Sequence, residues 1–478
     1  MKKGLALLLT LVLLLTAISG LAEDKMVKWV FTKGGFEPLS EDNSIHQAIE
    51  EKSGITFEHI APPAANYAEK VSVILSGKDL PDAIRLSKTS ELYDYAEQGM
   101  LLPLDDYLKD CPNLMSAIPQ KAWDIMRGSD GKIYGIPVWT SEHRYNFIIR
   151  GDWLDKLGLK NPTTLQELHD VYKAFVTQDP DGNGVADTYG LLGTGLETFE
   201  PIFGAYGVMG VHRGYFYKDA DGTLKPQAIN PKAKEALALL RDWYQEGLIH
   251  PEWITIKAES ELNERGMKNQ FGSTHRWWTW EPKIEKEMQK IDPKVEWRRI
   301  APPTGPDGIS GVRGVGIVNF PVVVMSTTQH AKEIMQLFDW YHTEEGMMTA
   351  YSGVQGVHWE KQADGTYHTL PQFDVDAKWI QWYSCFENEQ PLLQMETYLV
   401  QSRRDALKWN IITNAADGIV TEAEKQYSAD LNTLVEEAYG KIITGKADLD
   451  SFDQFVEEYN RLGGEEWTQQ VNEKAAAK

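Results

Sequence analysis

Residues 26–110 alternate strand-length apolar runs with helix-period segments, and few folds accommodate that alternation. Residues 27–31 are an apolar run of strand length, 43–52 reads as a helix ended by Gly54, and 55–60 is a second strand. Tyr67, Val71, Ile74 and Leu75 share one helical face; 82–86 is a third strand and 91–98 another helix. A repeat near 3.6 residues gives a one-sided helix, whereas a short apolar run bounded by turn residues gives a buried strand. Strands that alternate with helices join into a parallel sheet through right-handed crossovers, which places the chain in the α/β class. Ligands of such sheets meet the loops after the carboxyl ends of the strands. Here those loops are 32–44 and 87–90, so Thr32, Lys33, Phe36, Ser87 and Lys88 are candidate binding residues, against the plainer reading of solvated loop residues.

Residues 130–190 carry the next constraint. An extended apolar piece at 133–137 ends one structural unit, a polar and aromatic crossing follows at 139–144, and a strand at 145–149. A helix spans about 164–175: Thr164 and Glu167 have capping-box spacing, and Leu165, Leu168 and Tyr172 mark its buried stripe. It ends on an Asp/Asn/Gly loop that repeats most of a calcium loop. Asp179, Asp181, Asn183 and Asp187 fall at loop positions 1, 3, 5 and 9, the carbonyl of Val185 at 7, and Gly184 at the sharp turn, position 6. Calcium is a hard cation that takes oxygen ligands, and this set supplies carboxylates, an amide and a carbonyl. Position 12 is Gly190, so the bidentate glutamate of a full EF-hand is absent; water or Thr188 would complete the shell. The competing reading is a metal-free Asp-Gly/Asn-Gly turn.

Beyond the loop, 199–217 is aromatic and glycine-rich, and 231–247 is a helix striped by Ala236, Leu239, Leu240 and Trp243. Residues 271–280 (FGSTHRWWTW) are a short strand running into a tryptophan cluster. Residues 301–306 are a proline-rich connector, 312–325 is strand-rich and 331–341 helical. From 391 onward the chain reads as helical. Leu431, Leu434, Val435, Ala438, Tyr439 and Ile442 make one face, and Phe452, Phe455, Val456 and Tyr459 another, stopped by Gly463 and Gly464.

Residues 1–22 read as a secretory signal: Lys2 and Lys3, an apolar core at 5–15, and Gly20, Leu21 and Ala22 at the cleavage site, so that the mature chain starts near Glu23. The first cysteine is Cys111, so no cysteine for lipid attachment follows the signal; the expectation is an extracellular protein without N-terminal lipid. Two of the 48 basic residues leave with the signal, so 46 remain against 70 acidic ones, a net charge of −24. That balance argues against nucleic acid and anionic membrane as partners. Cys111 and Cys385 could pair in an exported protein, but two buried thiols are expected. No metalloprotease or nucleophile-elbow motif is present. Residues 440–447 (GKIITGKA) approach a phosphate loop but end in Ala447 where a hydroxyl must hold magnesium, and read as a helix terminus and turn. Glu387 and Glu389 are one of many carboxylate pairs expected by chance among 70 acidic residues. No catalytic constellation emerges, and no enzyme is expected.

The runs 131–137 (GKIYGIP), 147–159 (FIIRGDWLDKLGL), 179–191 (DPDGNGVADTYGL) and 443–464, in that order, resemble extracellular solute-binding proteins, family 1, of bacterial ABC importers. The similar branch includes alginate- and other oligosaccharide-binding lipoproteins. The resemblance implies a two-lobed periplasmic-binding-protein-like fold of type II with three hinge crossings, near 139–144, 301–312 and 346–359. Lobe 1 would be 23–140 with 306–350 returning to it, and lobe 2 would be 141–305 with 351–478. It implies an oligosaccharide held between the lobes, ABC permease subunits as partners, and a monomer. Trp139, Glu142 and Arg144 would reach the ligand from the first crossing, Arg313 from the returning chain and Trp359 from the third crossing. By likeness to maltose-type proteins Trp278 and Trp280 would face it, with Trp278 as the sugar platform; core packing is the alternative. Lys33 and Ser87 would complete the set. A neutral glycan is preferred to an acidic one on overall charge. A secreted glycoside hydrolase or lyase, or a sugar sensor without transport, are the other readings.

Overall fold

The three apolar runs of the N-terminal region form the strands Val27–Val30, Phe57–Ile60 and Ala83–Arg85, all parallel, in register Val27↔Phe57 and Trp29↔Ala83. The computed structural model describes residues 27–30, 43–60, 62, 66–138, 142–318, 320–363, 365, 367–377 and 397–476. A fourth strand, Val322–Val324, comes from the returning chain and pairs antiparallel with Ala83–Arg85, giving the order Val322–Val324, Ala83–Arg85, Val27–Val30, Phe57–Ile60. Helix Ser44–Ser53 begins where the Asn43 side chain accepts from the Ile45 N–H (2.9 Å) and ends at Gly54, whose φ of 71° an L side chain rarely adopts. Trp29, fully buried, meets Phe338 edge-on at 5.2 Å from helix Ala331–Tyr341. These residues belong to one compact unit, residues 1–140 and 317–395. Cys111 is buried in it, and burial pushes its thiol up to about 11, so it is an inert packing residue; Cys385 lies outside the described residues.

The second unit, residues 141–316 and 396–478, has its own sheet, ordered Tyr189–Leu191, Phe271–Trp277, Tyr145–Arg150, Trp297–Ile300. Tyr189–Leu191 and Phe271–Trp277 are parallel; the other pairs are antiparallel. Every residue of Tyr145–Arg150 is buried. The capped helix spans Leu165–Thr177: Thr164 accepts from the Glu167 N–H (3.2 Å), and Leu165, Leu168, Val171, Tyr172 and Phe175 are buried. This helix lies so close to the sheet that a Cβ at Gly190 would strike the Tyr172 ring, and one at Gly272 the Phe175 ring. Helices Pro231–Gln245, Glu422–Ile443 and Ser451–Tyr459 complete the core with Leu240, Trp243, Leu431, Val435, Tyr439 and Phe455. The phosphate-loop-like segment is the end of helix Glu422–Ile443 and its turn, with Gly445 at φ 71°.

The chain passes between the units at 140/141, 316/317 and 395/396, and two of these points differ from the sequence expectation. The proline-rich 301–306 is part of the second unit: Pro302 and Pro303 are buried, Thr304 exchanges backbone hydrogen bonds with Thr163 and Leu165, and the strand Val312–Arg313 pairs with Ile411–Ile412. Residues 346–359 belong to the first unit, where helix Glu344–Ser352 buries Met348 and Tyr351 and is tied to Lys52 through Thr349 (3.3 Å). Tertiary burial turns both apparent linkers into body.

Candidate ligand-binding site

In the second unit, the start of Tyr145–Arg150 and the end of Phe271–Trp277 lie side by side, with Tyr145 opposite Trp277 and Phe147 opposite His275. The strand Val312–Arg313 reaches the same edge: His143 bridges Gly314, and the Val315 N–H donates to the Glu142 carbonyl (3.1 Å). Pairing therefore gathers Glu142, Arg144 and Arg313 at one edge of the second unit. At the centre is Tyr145. Its ring stacks on His275 (4.7 Å, 17° between planes), lies 5.1 Å from Trp277, and has the Arg313 guanidinium over it at 4.4 Å. Arg313 also donates to the Tyr145 hydroxyl. Arg144 lies over Trp277 at 5.1 Å.

Glu200, which is buried, and Glu197, which is half-buried, hold Arg313. Arg313 donates to Glu200 (3.0 Å) and Glu197 (3.2 Å). Glu197 also pairs with Arg213 and lies 3.5 Å from Arg276, which donates to Thr194 (2.9 Å) and stands 3.8 Å from Glu259. Burial raises the Glu200 carboxyl above its ordinary range, and the Arg313 charge only partly opposes it. Burial lowers Arg213 to about 10 and His212 to about 4, and the Arg313 charge pushes both the same way. His275 is held well below its usual range by burial and then by Arg313, Arg276 and Arg213. The result is neutral histidines, paired arginines and flat rings, which offers fixed donors and acceptors beside apolar faces.

The tryptophans divide differently from expectation. Trp278 is 6% exposed: its N–H donates to the Arg144 carbonyl (3.0 Å), its carbonyl accepts from Ser402 (2.6 Å), and Arg403 lies over its ring. Trp280 is a core residue, 3% exposed, with its ring edge-on to Trp297 and its indole N–H donating to Asn263 (2.7 Å). Trp277, at 38%, is the indole left open, because the strand continues through 277 and keeps that side chain on the Tyr145 face. Trp359 is in the first unit, buried in a hairpin with Tyr367, its indole N–H donating to the Gly353 carbonyl (3.0 Å). Ser87, also in the first unit, has its N–H on Glu91 (3.0 Å) and a buried hydroxyl without a hydrogen-bond partner among the described residues; Lys88 is exposed. Trp139, Lys33, Thr32 and Phe36 lie outside the described residues. Sequence reading missed Tyr145, Glu197, Glu200, Arg213, His275, Arg276 and Trp277. The two-residue alternation His275, Trp277 was the available signal.

In the Asp/Asn/Gly loop, Asp179 adopts φ 46° and accepts from the Gly182 and Gly184 N–H groups (both 3.0 Å). Asn183 donates to Asp181 (2.8 Å) and Asp187 (3.2 Å). Burial raises Asp181, and the hydrogen bond to Asp179 and the Asp187 charge add to the rise. The donors thus suit calcium in kind and are crowded enough to repel one another. Among the described residues no three acidic, histidine or cysteine side chains already stand in metal-holding geometry. Thr188 is not available: its hydroxyl donates to the Phe175 carbonyl (2.7 Å) and it is buried. Position 12 cannot carry a glutamate, because Gly190 lies under Tyr172.

A serine, a histidine and an aspartate also meet in the first unit. Ser44 Oγ (3.5 Å) and Asp376 Oδ2 (3.3 Å) both face His358 Nε2, while Nδ1 accepts the Val354 N–H (2.8 Å). Nδ1 has no proton to give a carboxylate, so Nε2 carries it and cannot take one from Ser44; the arrangement is a structural tie and not a nucleophile relay.

The family model for bacterial extracellular solute-binding proteins matches residues 38–348. Lipoprotein LipO of Bacillus subtilis is 26% identical over 464 residues, covering 91% of this chain and 89% of its own. The polygalacturonan/rhamnogalacturonan-binding protein YtcQ of the same organism is 26% identical over 434 residues, covering 86% and 84%. Among solved structures, the Streptococcus pneumoniae ABC-transporter substrate-binding protein FusA in complex with kestose superposes with a TM-score of 0.72 at 20% identity, over 94% of this chain and 98% of that one. The fold is that of the two-lobed, type II solute-binding proteins. The chain belongs to the bacterial extracellular solute-binding protein family.

Proposed function

We propose that this protein is an exported, non-catalytic receptor that delivers an oligosaccharide to an ABC permease, responding to ligand by hinge closure between its units. The observation that carries the reading is the cluster of Tyr145, Trp277 and Arg313 with its paired acids. A sugar ring has an apolar C–H face for an indole and a rim of hydroxyls for fixed donors and acceptors. The names of YtcQ and of FusA with kestose point to the same ligand class. A neutral glycan is favoured, because Arg213, Arg276 and Arg313 already face Glu197, Glu200 or Glu259. Calcium bound by Asp179, Asp181, Asn183, Asp187 and the Val185 carbonyl, with water completing the shell, is part of the proposal, as a structural ion. Calorimetric titration with neutral and uronate oligosaccharides tests it. Binding of a neutral glycan without product formation is expected. Binding of uronates alone would overturn the charge reading, and release of shorter sugars would favour a hydrolase or lyase.

A further inference from the structure

The first unit carries an aromatic position that the site above does not use. Phe320 lies just after the second passage between units, at 316/317, and is 38% exposed. Its φ is +50°, and among the described residues only Asp179 and Asn269 are the other non-glycine residues with positive φ. Asp and Asn adopt that conformation readily; a phenylalanine does not, and such outliers persist where surrounding structure enforces them, often at ligand sites. The enforcing structure is visible. Leu86 donates its N–H to the Pro321 carbonyl (2.8 Å), and Val322 pairs with Arg85. Residues 320–322 are thereby fastened to the carboxyl end of the parallel strand Ala83–Arg85, the side of a parallel sheet where ligands bind. Arg85, 2% exposed, places its guanidinium 5.3 Å from the Phe320 ring centre. The buried hydroxyl of Ser87, without a partner among the described residues, follows the same strand end.

We propose that Phe320, backed by Arg85, is the first unit's platform for the apolar face of a sugar ring, with Ser87 at its edge. This rests on the receptor reading. The left-handed backbone holds the ring out at a strand end instead of letting it fold into the core. The test uses kestose, cellotetraose, xylotetraose and mannotetraose as probes, taking whichever the unaltered protein binds most tightly. Phe320→Gly removes the ring and relieves the strain; Phe320→Asn removes the ring but tolerates the left-handed backbone; Phe320→Tyr keeps the ring. The expected result is a Kd weakened about tenfold or more in the Gly and Asn variants, as loss of a stacking ring implies. The Tyr variant should bind as the unaltered protein does, and the Gly variant should melt no lower. Gly and Asn variants that bind within about twofold of the unaltered protein would overturn the platform alone. Failure of the unaltered protein to bind any of the four would overturn the receptor reading and this one with it.

Discussion

At the residue scale, two neighbouring tryptophans have opposite surroundings. Trp277 is open beside Tyr145 and Arg144, whereas Trp278 is enclosed by Ser402 and Arg403. Trp277→Ala is expected to cost about 1–2 kcal/mol of glycan binding, the value of covering the indole area now exposed, with little change in melting temperature. Trp278→Ala is expected to cost about 3–5 kcal/mol of stability, as for other buried large aromatics. Calorimetry and a denaturant melt on the same two proteins separate these outcomes; equal effects of both on binding would refute the division. The sequence could place a tryptophan cluster at the end of a strand. It could not tell which ring points outward, because a shift of one residue in the strand end swaps the faces.

At the element scale, local chemistry was legible and long-range packing was not. Thr164, Asn230 and Thr421 each cap a helix through their side-chain oxygen, and such signals need only neighbouring residues. Residues 301–306 look like a linker because of their prolines, and 346–359 by family resemblance, yet burial of Pro302, Pro303, Tyr351 and Trp359 makes them parts of the two bodies. The Asp/Asn/Gly loop at 179–190 stands between these cases. Its oxygen donors are local, while the absence of a glutamate at position 12 follows from Tyr172 covering Gly190. The proposed calcium, held without that bidentate ligand, would bind in the weaker range, near 0.1–1 mM. Calcium at about 10 mM should then stabilise the protein by roughly 1.4–2.7 kcal/mol relative to chelator, through mass action on the folded state. Thermal melts with calcium and with chelator measure this. Asp181→Asn should abolish most of the difference, and a native melt indifferent to calcium would exclude the ion.

At the scale of the whole molecule, buried titratable groups set the response to acid. His212, His250 and His342 are each lowered to about 4, and His59 and His275 well below the usual value, in every case first by burial. A base whose folded pKa is depressed stays neutral in the native state while the unfolded chain takes up a proton. Stability is therefore full above about 6.5 and falls as the pH drops towards 4, by about 1.4 kcal/mol per pH unit for each proton refused. Glu281 opposes this. Burial raises its carboxyl to about 7 despite Arg299, so the native state holds a proton that the unfolded chain loses above about 4.5, and its contribution to stability is lost as the pH rises from 4.5 to 7. Glu200, Glu285 and Asp181 are raised in the same sense, but the five histidines outnumber these four acids, and Glu167 and Glu261, held low by hydrogen bonds, act with the histidines, so the melting temperature should fall between pH 7 and pH 4.5. Glu281→Gln removes one of the opposing groups, so its melting temperature should fall more steeply over the same interval. A parallel pair of curves would show that Glu281 is ionised in the folded protein at pH 5, held so by Arg299, and a flat curve for the unaltered protein would show that the buried histidines admit water and protonate freely.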